Sequence, residues 1–129
     1  MLGRGAIENL STQELVRKKD DVVLVDVRSP SARGVSVIPG AITAEHYESS
    51  RQQYAGKTVV PYCTVGGRSY LYSRKLARQG VTTLNYRDSI LGWCHAGLPL
   101  QSPDGEPTSR VHPYWNIFPL PSEYESTKG

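Results

Sequence analysis

Hydrophobic and polar positions change period several times along the first hundred residues, and each change predicts an element. Ser11-Thr12-Gln13-Glu14 is a capping box, in which the Ser11 hydroxyl accepts from the Glu14 backbone and the Glu14 side chain reaches back. It predicts a short helix over residues 12–19 with Leu15 and Val16 turned inward. Val22 to Val27 is an apolar run broken only by Asp26, the pattern of a strand buried on both faces of a parallel sheet. Such strands need helices on either side, so the expected class is α/β.

Further along, Val37-Ile38 followed by Pro39-Gly40-Ala41-Ile42 predicts a strand interrupted by a turn, and a polar connection runs through Arg51, Gln52 and Gln53. Thr58 to Tyr62 predicts the next strand, although Pro61 has no N–H to give to a ladder. A helix is expected over Ser69 to Gln79, with Ser69 as N-cap and Gly80 just past its end. Tyr72, Leu76 and Ala77 share one face of it, while Arg74, Lys75 and Arg78 lie on the other. A strand near Thr82 to Tyr86 and a helix near Ser89 to Ala96 complete a β–α–β–α alternation. Six of the nine prolines fall from Pro99 onward. That C-terminal stretch reads as extended, yet Tyr114, Trp115, Phe118 and Tyr124 give it enough apolar surface to pack back on the domain.

The loop between the third expected strand and its helix carries the candidate chemistry. Cys63-Thr64-Val65-Gly66-Gly67-Arg68-Ser69 lies beyond the carboxyl end of a buried strand, where open α/β sheets bind ligands. Two glycines allow backbone N–H groups to converge on one point, the following helix offers its positive end, and Arg68 adds a full charge. Each favours a thiolate at Cys63, whose pKa such surroundings can lower from about 8.5 toward roughly 3.5–7.5. Cys63 is therefore the candidate nucleophile, and Thr64 to Ser69 are the candidate substrate-binding residues. A buried, inert cysteine is the plain alternative, but simple packing has no use for Gly-Gly-Arg.

Composition narrows the classes. The chain has 129 residues, which points to one main domain, and only two cysteines, Cys63 and Cys94, which excludes a disulfide scaffold and a four-cysteine zinc site. His46, His95 and His112 are too far apart for the usual ligand pairs, so no metal and no cofactor is expected. A net charge of +3 suits a small anionic substrate better than nucleic acid. No membrane span and no signal-peptide pattern is visible, so a soluble protein of a reducing compartment is expected, cytoplasmic unless an organelle address has been removed.

Four blocks together resemble the rhodanese-like superfamily: Asp26-Val27-Arg28, Ile38-Pro39-Gly40-Ala41, the C-x-x-G-x-R-S pattern of Cys63 to Ser69, and Gly92-Trp93 with Ala96-Gly97-Leu98-Pro99. The resemblance runs from about Ile7 to Leu100. It implies a five-stranded parallel sheet flanked by helices over residues 1–101, with residues 102–129 as an extended, proline-rich aromatic tail. It also implies that Cys63 takes a sulfane sulfur from thiosulfate or a persulfide donor and passes it, as a persulfide, to cyanide or a thiol. A protein donor or acceptor would serve the same chemistry. Cysteine phosphatases and arsenate reductases of similar architecture place five residues between Cys and Arg. Here four separate Cys63 from Arg68, a narrower cradle that favours sulfur. A non-catalytic rhodanese-like interaction module is the alternative outside catalysis.

This chain also departs from the family pattern. Ser31, Ala32 and Arg33, then Ser36-Val37, replace the usual acidic residues and Gly-His, which leaves Arg28 without its expected carboxylate partner. Asp88-Ser89 stands where two glycines are common, and places a carboxylate near the end of the last strand, at the mouth of the site. Asp26 and Arg28 are expected to brace backbone, Cys94 to pack rather than act as a resolving thiol, and His46 and His95 to be structural or solvent-facing. His112 is expected to help dock the tail, and Arg74, Lys75 and Arg78 to form a solvated basic face.

Overall fold

The structure is a computed structural model and describes residues 7–112, 120–121 and 123–126. The element order is β1 (Asn9–Leu10), α1 (Thr12–Lys18), β2 (Val22–Asp26), α2 (Pro30–Val35), β3 (Ile42–Thr43), α3 (Ala44–Ser49), β4 (Thr58–Tyr62), α4 (Gly67–Arg78), β5 (Asn85–Tyr86) and α5 (Ser89–His95). Short pairs follow: β6 (Leu100–Gln101) with β7 (Pro107–Thr108), and β8 (Arg110–Val111) with β9 (Glu125–Ser126).

β2 is central to a three-stranded parallel sheet of order β3-β2-β4, with Val22 opposite Thr58 and Asp26 opposite Tyr62. β1 and β5 form a separate parallel pair. In place of the single five-stranded sheet expected, three strands and two meet at one bridge between Val59 and Thr83, through Val59 N–H to Thr82 O and Leu84 N–H to Val59 O. Pro61 explains the break. Backbone groups of a parallel strand face its two neighbours alternately, so Pro61 has the same orientation as Val59 and faces the β5 side, where it has no proton to donate. The next residue, Tyr62, faces the other way, and its carbonyl accepts from Val27 N–H.

Side chains alternate across the sheet, giving one core on each face. Leu24, Val60 and Tyr62 point to the side covered by Leu15 of α1 and Ile90, Trp93 and Cys94 of α5. Val23, Val25 and Val59 point to the side covered by Tyr47 of α3 and Leu76 of α4. Each such aliphatic side chain contributes roughly 1.5–3 kcal/mol on burial. The capping box of α1 is present, and Gly80 follows α4 with φ +83°. The expected strand through Val37 to Ile42 divides instead: Val37 makes an antiparallel bridge to Gln101, and only Ile42 and Thr43 pair with β2.

Arg28 is not left without a carboxylate. Its Nε and Nη2 fork onto Asp26 at 3.0 and 2.7 Å, and Nη2 also donates to Ser36 O at 2.6 Å. Tyr62 donates its hydroxyl to Asp26 at 2.7 Å and accepts from Ile38 N. Asp26, buried at the end of β2, thus replaces the more distant acids and ties β2, β4 and the segment after α2 together. In the C-terminal stretch, Tyr124 donates to Leu98 O at 2.5 Å and packs with Leu120 on the α1–α5 core. Tyr114, Trp115 and Phe118 lie outside the described residues.

Candidate active site

Cys63 is the first residue past β4, and its side chain is held inside the loop that follows; the residue is 5 % exposed. Gly66 N–H donates to Cys63 Sγ at 3.0 Å. The Cys63 thiol donates to Ser69 Oγ at 3.5 Å, and Ser69 Oγ–H donates to Gly66 O at 3.2 Å. Sulfur, hydroxyl and backbone therefore close a small ring.

Gly66 makes this ring possible. Its φ is +101°, and a Cβ there would lie 2.3 Å from the carbonyl oxygen of Arg87. Only a residue without a side chain can both turn the chain so sharply and pass so close to the neighbouring turn. The consequence corrects the expected start of the helix. α4 begins at Gly67 with Gly66 in the N-cap position, and Ser69, expected as N-cap, sits in the first turn with its hydroxyl aimed back at the sulfur.

The other half of the site comes from α5. Ser89 Oγ accepts from Cys63 N–H at 3.0 Å, Ile90 N–H donates to Cys63 O at 3.0 Å, and Leu91 N–H donates to Thr64 O at 3.2 Å. The unpaired amides of a helix N-terminus are thus used to grip the backbone of Cys63 and Thr64. The sequence reading missed this clamp. The one signal of it in the sequence is Ser89 in a position where glycine is common. Asp88 is exposed, at the start of α5, and its carboxylate accepts from Thr12 Oγ1 of α1 at 3.3 Å.

Burial pushes the Cys63 thiol up, and hydrogen bonding with the Ser69 hydroxyl and amide, the Gly66 amide and the Ser89 hydroxyl opposes it. The balance lies below the ordinary thiol value. Cys94 is the contrast: burial within the core pushes it up to about 12, with Arg28 a smaller opposing influence. Both cysteines are free.

Of the remaining loop residues, Thr64 is buried, Val65 is 42 % exposed on the rim, and Gly67 and Arg68 are exposed in the first turn of α4. His46 shares a hydrogen bond with Tyr54, His95 is exposed at the end of α5, and His112 is half-buried. Among the described residues, no three His, Cys, Asp or Glu side chains gather into a metal site, and no helix is long and apolar enough to cross a membrane.

A family model described as Rhodanese-like domain matches residues 11–96, two-thirds of the chain. The chain belongs to the rhodanese-like domain family. A protein of Allochromatium vinosum described as a sulfurtransferase is 35 % identical over 103 residues, covering 77 % of this chain and 96 % of that one. Family membership and this relative together support sulfurtransferase activity in general. Among solved structures, a Bacillus halodurans protein matches 85 % of this rhodanese-like chain and 85 % of its own, with TM-score 0.70 and 18 % identity. A thiosulfate sulfurtransferase of Pseudomonas aeruginosa matches 78 % of the chain with TM-score 0.65 and 20 % identity. The chain spans 21 % of that protein and 16 % of a longer Bacillus anthracis chain with the same fold. At these identities the structures share the fold alone.

Proposed function

We propose that this rhodanese-like protein transfers sulfane sulfur through a persulfide on Cys63, taking it from thiosulfate or a protein persulfide. In the first half-reaction the Cys63 thiolate attacks the outer sulfur of thiosulfate, the S–S bond of the donor breaks, and sulfite leaves with its electron pair. Charge balances, since one thiolate and a dianion give one persulfide anion and a dianion. In the second, cyanide or an acceptor thiolate attacks the terminal sulfur, and thiocyanate or a new persulfide leaves as the Cys63 thiolate returns. This is thiol–disulfide exchange displaced by one sulfur.

The observation that carries the reading is the Gly66 amide at 3.0 Å from Cys63 Sγ, with hydroxyls of Ser69 and Ser89 beside it. These donors favour the thiolate that must attack, and they line the loop in which a terminal persulfide sulfur would sit. Arg68, in the first turn of α4, is assigned to orient the anionic donor, with the backbone from Thr64 to Gly67 as its cradle. The charge pattern supports an anionic donor: between Glu48 and Asp88 the chain has no acidic side chain and seven Lys and Arg. Residues 1–101 are assigned as the catalytic domain and 102–129 as its appendage.

The test is sulfur transfer from thiosulfate to cyanide, followed as thiocyanate. Cys63→Ser is expected to lose all activity above the uncatalysed rate while Cys94→Ser keeps it. Activity retained in Cys63→Ser would remove Cys63 from the reaction.

A further inference from the structure

The cations of α4 do not all share one environment. Arg68, Leu71, Lys75 and Arg78 follow one another at helical spacing, so they form a single stripe along the helix, and all four are exposed. Arg74 leaves the basic face expected for it: the residue is half-buried and its Nε is enclosed. The stripe begins beside the Cys63 loop, in the first turn of α4, and runs about 15 Å to the far end of the helix. Val65, in the loop itself, precedes it. Val65 and Leu71, 42 % and 65 % exposed, are two of the three large apolar side chains left in the open among the described residues.

The acids nearby are engaged elsewhere. Glu48 of α3 reaches α4 only at the Tyr72 hydroxyl, and it is ion-paired with Arg51. Lys75 Nζ lies 5.8 Å from the Tyr72 ring centre, and neither Lys75 nor Arg78 belongs to an ion pair among the described residues. Across Gly66, Arg87 is exposed in the turn whose carbonyl abuts that glycine, and Asp88 beside it accepts from Thr12 Oγ1 of α1. The surface leading away from Cys63 along α4 is therefore cationic, with Leu71 set in its middle.

A small anion such as thiosulfate needs charge at the loop and has no use for Leu71 or for cations further along the helix. A second copy of the chain would bring cation against cation, because a two-fold pair presents the same face twice. An apolar side chain ringed by cations suits a protein surface of opposite charge. We propose that the stripe Arg68–Leu71–Lys75–Arg78 docks the acidic face of a partner protein whose cysteine exchanges sulfur with Cys63, an apolar side chain of the partner covering Leu71. This pairing rests on the reading above, that Cys63 carries the sulfur. In loading, the Cys63 thiolate bonds to the terminal sulfur of the partner's persulfide, the partner's S–S bond breaks, and its thiolate leaves with the electron pair. Delivery is the same step reversed. One S–S bond forms for each that breaks, so no oxidant or reductant is consumed.

The test reads docking at Cys63 without sulfur transfer. In a Cys94→Ser background, which leaves one thiol, Cys63 is given a short peptide of one cysteine followed by glutamates around a leucine, its sulfur capped with thionitrobenzoate. Attack joins Cys63 to the peptide and releases thionitrobenzoate, whose absorbance gives the second-order rate. At low ionic strength this rate is expected to exceed that for the matching lysine peptide, and to fall roughly tenfold when Lys75→Glu and Arg78→Glu are combined. Leu71→Ser is expected to slow it about fivefold. Combined Lys75→Gln and Arg78→Gln, a milder change, is expected to fall between the parent and the charge reversal. Alkylation by neutral iodoacetamide is expected to match the parent in every variant, which shows that the loop is intact. Equal peptide rates in the parent and the charge-reversed protein would overturn the proposal. So would a loss on charge reversal with Leu71→Ser unaffected, since that is long-range attraction of any anion and not docking. Failure of the broader reading shows separately, as sulfur transfer that survives Cys63→Ser.

Discussion

Hydrogen-bond donors, not burial, separate the two cysteines of this chain. Both are buried, but Cys63 has an amide and two hydroxyls around its sulfur, and Cys94 sits in the apolar core with Trp93 and Tyr124. The same desolvation that Cys63 overcomes therefore dominates at Cys94. Its folded pKa of about 12 lies above the ordinary thiol value of 9.0, so the folded state favours the neutral thiol. That contribution to stability is complete below about pH 9 and is lost as pH rises toward about 12. Tyr86, pushed up to about 12 by burial, adds to the loss. Cys94→Ser, whose hydroxyl does not titrate there, is expected to show a shallower fall in urea midpoint between pH ~8 and ~11 than the wild type. Parallel curves for the two proteins would show that Cys94 ionises freely in the fold.

At the scale of elements, the site is the junction of β4, α4 and α5, and Gly66 is the residue on which the junction turns. Gly66→Ala would put a Cβ 2.3 Å from Arg87 O in a backbone with φ +101°. The loop must then shift, and the amide that reaches Cys63 Sγ shifts with it. A loss of about 2 kcal/mol in unfolding free energy is expected, together with at least a tenfold loss of sulfur transfer. A variant with wild-type stability and activity would show that the loop tolerates a different path.

The legibility of these elements in the sequence follows from their length and from how local their causes are. β2, β4 and α4 are long, periodic segments, and their patterns place them to within a residue or two. α2 and α3 are absent from the sequence reading because each is only six residues long, although Ser29-Pro30 and Thr43 supply ordinary starting caps. β1 exists only through pairing with Asn85 and Tyr86, far along the chain, and no local pattern reveals a two-residue strand. The same holds for the site: Cys63 and its glycines are adjacent in sequence, whereas the contact to Ser89 spans 26 residues. Pro61 is visibly awkward for a ladder in the sequence, but only the sheet order shows which side of β4 it interrupts.

At the scale of the whole molecule, two layers of helix hold a parallel sheet whose carboxyl end presents the Cys63 loop. The buried Asp26–Arg28–Tyr62 group fixes the ends of β2 and β4 beneath that loop, so Cys63 leaves a rigid strand and enters a turn closed by α4 and α5. Cationic residues cluster in the same middle third of the chain. This arrangement suits a sulfur atom carried as an anion on Cys63, and that covalent state is the central claim. Its most direct measurement is the mass of the protein, and then of its peptides, after brief exposure to thiosulfate and removal of excess donor. The account predicts a gain of one sulfur atom on the peptide containing Cys63, discharged by cyanide. A chain whose mass is unchanged, or whose added sulfur lies on Cys94, would contradict it.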